Sequence, residues 1–144
     1  MAVAAAETMN HYRQRRWAMP EAGGILLGRL IVHAPRVVVD AVTVPSRWDR
    51  WARFSFVRAK GPAQHAINRA WDTYDHARNY LGEWHTHPED DPTPSALDVE
   101  QWCMLARTAT FEQDVLYFLI VGRVQVRAWE VGRAADLVTP LETI

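Results

Sequence analysis

The run Glu83-Trp84-His85-Thr86-His87-Pro88, continuing through Glu89-Asp90-Asp91-Pro92-Thr93-Pro94 to Ser95-Ala96-Leu97-Asp98, concentrates the side chains able to do chemistry. On a strand, residues two apart face the same side, so His85 and His87 project together and can converge on one ion. Ser95 and Asp98, three apart at the start of a helix, share a face near its first turn. Two imidazoles and one carboxylate leave a tetrahedral ion one open position for water, the layout of a catalytic zinc site. A structural site is closed by a fourth protein ligand, usually Cys. The single cysteine, Cys103, falls instead on the apolar stripe of the following helix.

Each piece has a plainer reading beside it. His-x-His also fits two surface histidines. Ser95-x-x-Asp98 also fits a capping box, in which the two side chains satisfy free N–H groups at a helix start. Thr93 with Pro94 at the first helical position is a competing cap that would release Ser95. Glu83, two residues before His85 on the same strand face, is a candidate base or a group that orients a ligand. Glu89, Asp90 and Asp91 read as solvated loop acids close to whatever enters the site. His11 and His33 read as surface residues. His65 and His76, placed on the polar face of one helix with Arg69 and Asp72, would lie about 16 Å apart, too far for one ion.

The elements that must position these groups are legible as changes of period. Ala4 to Trp17 carries helix formers, with Pro20 as the stop. EAGGILLGRLIVH reads as a strand from Gly23 or Gly24, and His33-Ala34-Pro35 as a turn into the β-branched RVVVDAVTVP. Trp51 to Arg58 alternates as a third strand, ended by Gly61-Pro62. Ile67, Ala70, Trp71, Tyr74 and Ala77 give Ala63–Tyr80 a helical apolar face. LGEWHTHP is a short strand, with Trp84 pointing to the core opposite the histidines. A helix follows from Ser95 to Thr108 with Val99, Trp102, Cys103 and Ala106 buried. DVLYFLIVG and RVQVRAWEV form a hairpin at Gly122-Arg123. The order α-β-β-β-α-β-α-β-β predicts an α+β (mixed α/β) domain with helices packed on a sheet.

Composition bounds the rest. The 144 residues suit one domain spanning 1–144, and 49% hydrophobic with 23% charged residues is ordinary for a folded protein. One cysteine excludes an intramolecular disulfide and any multi-cysteine zinc or iron–sulfur site. A net charge of -1 argues against a nucleic-acid-coating surface. There is no phosphate-binding loop or dinucleotide fingerprint, so no nucleic-acid partner is expected. No apolar run approaches a membrane span, and MAVAAAETM lacks the cationic start of a signal peptide, so a cytoplasmic location is expected. Trp48 and Trp51, beside Arg47 and Arg50, could form an exposed docking surface.

HTHPEDDPTPSALD matches His-x-His-x7-Ser-x2-Asp, and with it the chain resembles the JAMM (MPN+) metallopeptidases over about Met19 to Trp129. Glu21, in the context EAGGILLG, occupies the place of that family's catalytic glutamate. Within the family the segment looks most like small bacterial members of anti-phage cyclic-oligonucleotide (CBASS) operons, which remove a conjugated nucleotidyltransferase from its targets. The resemblance implies a JAMM/MPN-type mixed sheet flanked by helices and Zn2+ held by His85, His87 and Asp98. It implies Glu21 as the acid–base group and Ser95 as the donor to a tetrahedral oxyanion. The implied reaction is zinc-dependent hydrolysis of a peptide or isopeptide bond after the C-terminal tail of a ubiquitin-like or conjugated protein. A RadC-like protein, a non-enzymatic MPN scaffold and a metal-dependent small-molecule hydrolase are the competing readings, and metal content separates the scaffold from the rest.

Overall fold

The computed structural model describes every residue except Val32, Pro35, Arg53, Ala135, Asp136, Thr143 and Ile144, with Ser55 described by its backbone alone. Among the described residues eleven elements follow one another: α1 (Val3–His11), β1 (Gly23–Leu30), β2 (Val37–Val42), β3 (Arg50–Ala52), β4 (Ser55–Val57), α2 (Lys60–Thr73), β5 (Asn79–Thr86), α3 (Ala96–Thr108), β6 (Val115–Val121), β7 (Val126–Gly132) and β8 (Val138–Leu141). Six strands form one sheet in the order β2-β1-β5-β6-β7-β8. The β5–β6 pair is parallel and the others antiparallel, so the sheet is mixed as expected.

Alternation along the strands divides the core between the two faces of this sheet. Ile25, Leu27, Phe118 and Ile120 point to the face covered by Ala63 and Ala70 of α2 and Trp102, Cys103 and Ala106 of α3. Leu26, Leu81, Leu119 and Val121 point the other way, where Ala5 and Met9 of α1 close the second core. Trp84 lies in that second core, as its strand position predicted, and its indole N–H donates to the Thr43 carbonyl at 3.0 Å. On the first face, Trp102 stacks on Phe118 with ring centroids 4.7 Å apart. Such a pair contributes about 0.5–1.5 kcal/mol beyond the area it buries. It also seats the middle of α3 on the sheet.

The sequence expectations are corrected at several elements. The strand expected over Trp51–Arg58 is a separate two-stranded ribbon, β3–β4, paired Arg50↔Val57 and Trp51↔Phe56. Helix α1 stops at His11 rather than Trp17. Beyond it the chain is recruited by a tertiary bond, Arg13 Nη1 to the Gly122 carbonyl at 2.6 Å, and by a local one, Gln14 Nε2 to the Met19 carbonyl at 2.9 Å. Helix α2 begins three residues before the expected Ala63, because Gly61 and Pro62 sit in its first turn, where backbone N–H groups have no intrahelical acceptor anyway. It ends at Thr73, and Asp75 and His76 take positive φ values of 49° and 64°. His76 therefore lies beyond the helix, stacked on Trp71 with centroids 4.8 Å apart, and does not share a helical face with His65. Trp71 and Tyr74 are exposed, and α2 packs through Ala63, Ala66, Ile67 and Ala70.

Strand β8 was not anticipated. It pairs with β7 at the sheet edge, with Pro140 opposite Trp129; an edge strand tolerates proline because one side of its ladder is unpaired. The expected turn after β1 is present at His33, whose φ is 63°, while its Pro35 lies outside the described residues. Among the described residues no helix is long and apolar enough to cross a membrane.

Candidate metal centre and active site

The site forms where β5 leaves the sheet. Strand β5 is central, paired with β1 on one side and β6 on the other, so His85 is fixed by Gly23↔His85 and His85↔Ile120. His87, one residue past the strand, is held through its own N–H to the Val121 carbonyl at 3.1 Å. The intervening loop then crosses to α3. Ser95 is the N-cap of that helix in extended conformation, and Asp98 is its third residue.

A capping box is present. The Asp98 N–H donates to Ser95 Oγ at 3.2 Å, and the Ser95 N–H donates to Asp98 Oδ2 at 2.7 Å. The Ser95 hydroxyl also donates to Asp98 Oδ2, at 2.6 Å. Thr93–Pro94 is therefore not the cap: Pro94 precedes the N-cap, and Ser95 is engaged rather than released. Capping and site formation are one arrangement here, since the box aims the Asp98 carboxylate at the histidines.

His85 Nε2 and His87 Nε2 lie 3.0 Å apart. Asp98 closes the triangle, with Oδ1 3.2 Å from His85 Nε2 and Oδ2 3.4 Å from His87 Nε2. A tetrahedral zinc with bonds of 2.0–2.1 Å separates its ligand atoms by about 3.3 Å. The donor set fits that ion in kind and in spacing. Among the described residues, these three are the only group of histidine, cysteine and carboxylate side chains converging closely enough to hold a metal.

Glu21 enters from the opposite direction. It lies just before β1, is 5% exposed, and its Oε1 is 4.0 Å from His87 Nε2. Burial, reinforced by Asp98 and Glu89 and opposed by His87, raises its pKa to about 7. A carboxyl poised there can exchange a proton at neutral pH. Burial also acts against charge on Asp98 and His87, yet their mutual bonds prevail. Asp98 is held well below the usual carboxylate range by His85, His87 and Ser95, and His87 is raised by Asp98, Glu21 and Glu89. Asp98 thus keeps its negative charge between the two rings.

The glycines after Glu21 explain how the ribbon reaches the site. A Cβ on Gly23 would lie 2.7 Å from the Phe56 ring and 2.6 Å from the Trp84 carbonyl; one on Gly24 would lie 2.2 Å from the Thr43 carbonyl. The ribbon thus packs directly over the start of β1, and the Ala52 carbonyl of β3 accepts the Glu21 N–H at 2.8 Å. Ribbon and α3 wall a cleft of about 550 Å³, with Phe54, Phe56 and Val57 on one side and Leu97 and Met104 on the other.

Glu83 also lines this cleft, but its carboxylate is engaged by Arg58, whose Nε is 2.9 Å from Oε1. Sequence spacing could not show Arg58 as its partner, because the contact is made across 25 residues. The loop acids are anchored as well as solvated. Asp90 binds Arg123 at 2.8 Å, Asp91 binds Arg127 at 2.6 and 2.7 Å, and Glu89 Oε2 accepts the Thr93 N–H at 2.9 Å. The two arginine bonds tie the loop between His87 and Ser95 to the β6–β7 turn and the start of β7, and the Glu89–Thr93 bond closes the loop on itself. Trp48 and Trp51 are 62% and 51% exposed, with the Arg47 guanidinium 4.6 Å from the Trp48 ring centroid.

Fold and site together define a mixed-sheet protein carrying a two-histidine, one-aspartate group that could hold a metal beside a buried glutamate. The chain matches the family described as prokaryotic homologs of the JAB domain over residues 4–132, and it belongs to that family. The JAMM resemblance read from the sequence is borne out. A Pseudomonas aeruginosa protein named CD-NTase/cGAS isopeptidase is 37% identical over 117 residues, covering 81% of this chain and 72% of the relative. A Vibrio cholerae protein of the same name is 33% identical over 133 residues, covering 92% and 80%. Among solved structures, a Salinibacter ruber protein aligns over 99% of this chain and 88% of its own with a TM-score of 0.59 and 16% identity. A Desulfitobacterium hafniense protein aligns over 99% and 89% with a TM-score of 0.56 and 22% identity. These last two support the fold alone.

Proposed function

We propose that this chain is a zinc-dependent isopeptidase that releases a nucleotidyltransferase, joined through its C-terminal carboxyl to an amine of a target protein, within a bacterial anti-phage CBASS system. The observation that carries this reading is the convergence of His85, His87 and Asp98 on one point beside buried Glu21. The relatives' printed names supply the class of bond and the class of conjugate. A scaffold without chemistry would have no need of a complete ligand set, so metal content argues between the two. The location expected for such a protein is the cytoplasm.

In this reading His85, His87 and Asp98 would hold the zinc, which would supply Lewis acidity and lower the pKa of a water toward neutrality. Glu21 accepts the proton of the attacking water as the C–O bond forms, and delivers it to the departing amine as the C–N bond then breaks. Help of this kind contributes roughly 10²–10⁴ in rate. Ser95 holds Asp98 through the capping box, and rotation about its Cβ–Oγ bond turns the hydroxyl proton from Asp98 toward the developing oxyanion while Oγ keeps the Asp98 N–H. The extended tail lies in the cleft between ribbon and α3, where a strand edge offers main-chain pairing and the apolar walls select side chains.

The test uses a CD-NTase linked through its C-terminus to a lysine side chain of a carrier protein. Zinc-loaded protein is expected to release the CD-NTase, a chelator to stop the release, and added zinc to restore it. An intact conjugate with stoichiometric zinc bound would overturn the isopeptidase reading.

A further inference from the structure

Glu21 belongs to no regular element, yet its carboxyl must be held within reach of the histidines. The start of β1 shows what holds it. In a regular antiparallel pair, two opposed residues exchange both N–H···O=C bonds. Ala22 and Thr86 exchange only one in that way, the Thr86 N–H donating to the Ala22 carbonyl at 2.8 Å. The Ala22 N–H donates instead to the Thr86 side-chain Oγ1, at 2.9 Å and fully buried. The ladder is thus opened at this pair: β1 begins at Gly23, β5 ends at Thr86, and Glu21 lies outside the strand. Glu21 is the first residue beyond the opening, with its own N–H on Ala52.

We propose that Thr86 is the positioning residue for Glu21: its hydroxyl, between the two histidines in sequence, accepts the Ala22 N–H and sets the point at which the glutamate leaves the sheet. The inference rests on the isopeptidase reading for its catalytic consequence, but the clip itself does not. Thr86 is 0% exposed, while its neighbours His85 and His87 turn to the site. Its methyl fills the same buried space that a valine would. The hydroxyl is what valine lacks, and without it the buried Ala22 N–H loses its acceptor, which no water replaces cheaply. A misplacement of about 1 Å of a catalytic group costs on the order of 10² in rate.

The experiment compares wild type, Thr86→Val and Thr86→Ser in three readouts: amide hydrogen exchange at Ala22, cobalt or zinc affinity, and kcat and KM on the CD-NTase conjugate. Thr86→Val is expected to lose protection at Ala22, keep its metal affinity, and lower kcat by roughly 10² with KM little changed. Thr86→Ser, which keeps the acceptor, restores protection and turnover. Unchanged Ala22 protection in Thr86→Val, or a serine variant as impaired as valine, would overturn the proposal. Loss of metal in Thr86→Val would also overturn it, by making Thr86 a support for the ligands rather than for Glu21. If wild type itself leaves the conjugate intact, the isopeptidase reading fails, while exchange at Ala22 still decides the clip.

Discussion

His85 and His87 present their Nε2 atoms to each other at 3.0 Å, a separation that two neutral lone pairs hold only around a shared proton or a cation. Everything in the immediate surroundings favours the cation. Asp98 is turned toward both rings by its capping box, Glu21 approaches from the far side, and the β5–β6 ladder keeps the strand from yielding.

One zinc per chain is therefore expected, with His85→Ala, His87→Ala and Asp98→Ala each bringing the stoichiometry close to zero in elemental analysis of folded protein. Zinc should also raise the thermal midpoint of the wild type. At a free concentration 100 times Kd, ligand binding stabilises the folded state by about 2.7 kcal/mol. A midpoint indifferent to both zinc and chelator would argue against the site.

In the proposed mechanism Ser95 has two duties, cap and oxyanion donor, that substitution can separate. Loss of an N-cap side chain to alanine costs about 1 kcal/mol, whereas glycine at the N-cap costs only a few tenths. Ser95→Gly should therefore keep most of the urea midpoint and still lower turnover by about 10²–10³, the usual cost of one oxyanion donor. Turnover that survives in Ser95→Gly would reduce Ser95 to a cap.

Glu83 shares the cleft with Glu21, but its carboxylate is engaged by Arg58. Glu83→Gln is expected to lower kcat by less than about tenfold, well short of the 10²–10⁴ tied to general acid–base help. A loss as large as that of Glu21→Gln would make Glu83 the base.

Gly82 tests the strand that carries the histidines. Its φ is 145°, and a Cβ there would stand 1.8 Å from the Tyr117 carbonyl of β6. Gly82→Ala combines a backbone conformation hostile to L-residues with overpacking, each costing about 1–3 kcal/mol. A urea midpoint well below wild type is expected, with metal affinity falling alongside. Wild-type stability would mean that β5 and β6 are not paired in this register.

The group of side chains that could hold a metal was legible because its parts are local. His85 and His87 are related by strand period, Ser95 and Asp98 by the first turn of one helix, and short-range spacing carries both relations. The helix stripe Trp102, Cys103, Ala106 was legible for the same reason. What the chain order hides is contact between distant segments. The Arg58–Glu83 pair, the arginines that anchor Asp90 and Asp91, and the ribbon packed on Gly23 all join residues far apart in sequence. The ribbon also shows how alternation misleads: Trp51 to Arg58 carries the period of one strand, yet it folds back on itself between Ala52 and Ser55. Helix α2 was misread at both ends, since a proline in the first turn is harmless and the exit at Asp75 and His76 depends on positive φ rather than on a breaker residue. Trp71 and Tyr74 kept the helical spacing of a buried face but lie outside the core, because small alanines make the contact with the sheet.

Substitution of the buried glutamate tests the central claim most directly. Glu21→Gln preserves shape and removes the proposed proton acceptor, leaving His85, His87 and Asp98 untouched. Zinc content and cleavage of the CD-NTase conjugate should be measured on the same preparation. The account predicts one zinc per chain and a cleavage rate lower than wild type by roughly 10²–10⁴. Cleavage at the wild-type rate with zinc fully bound would contradict it.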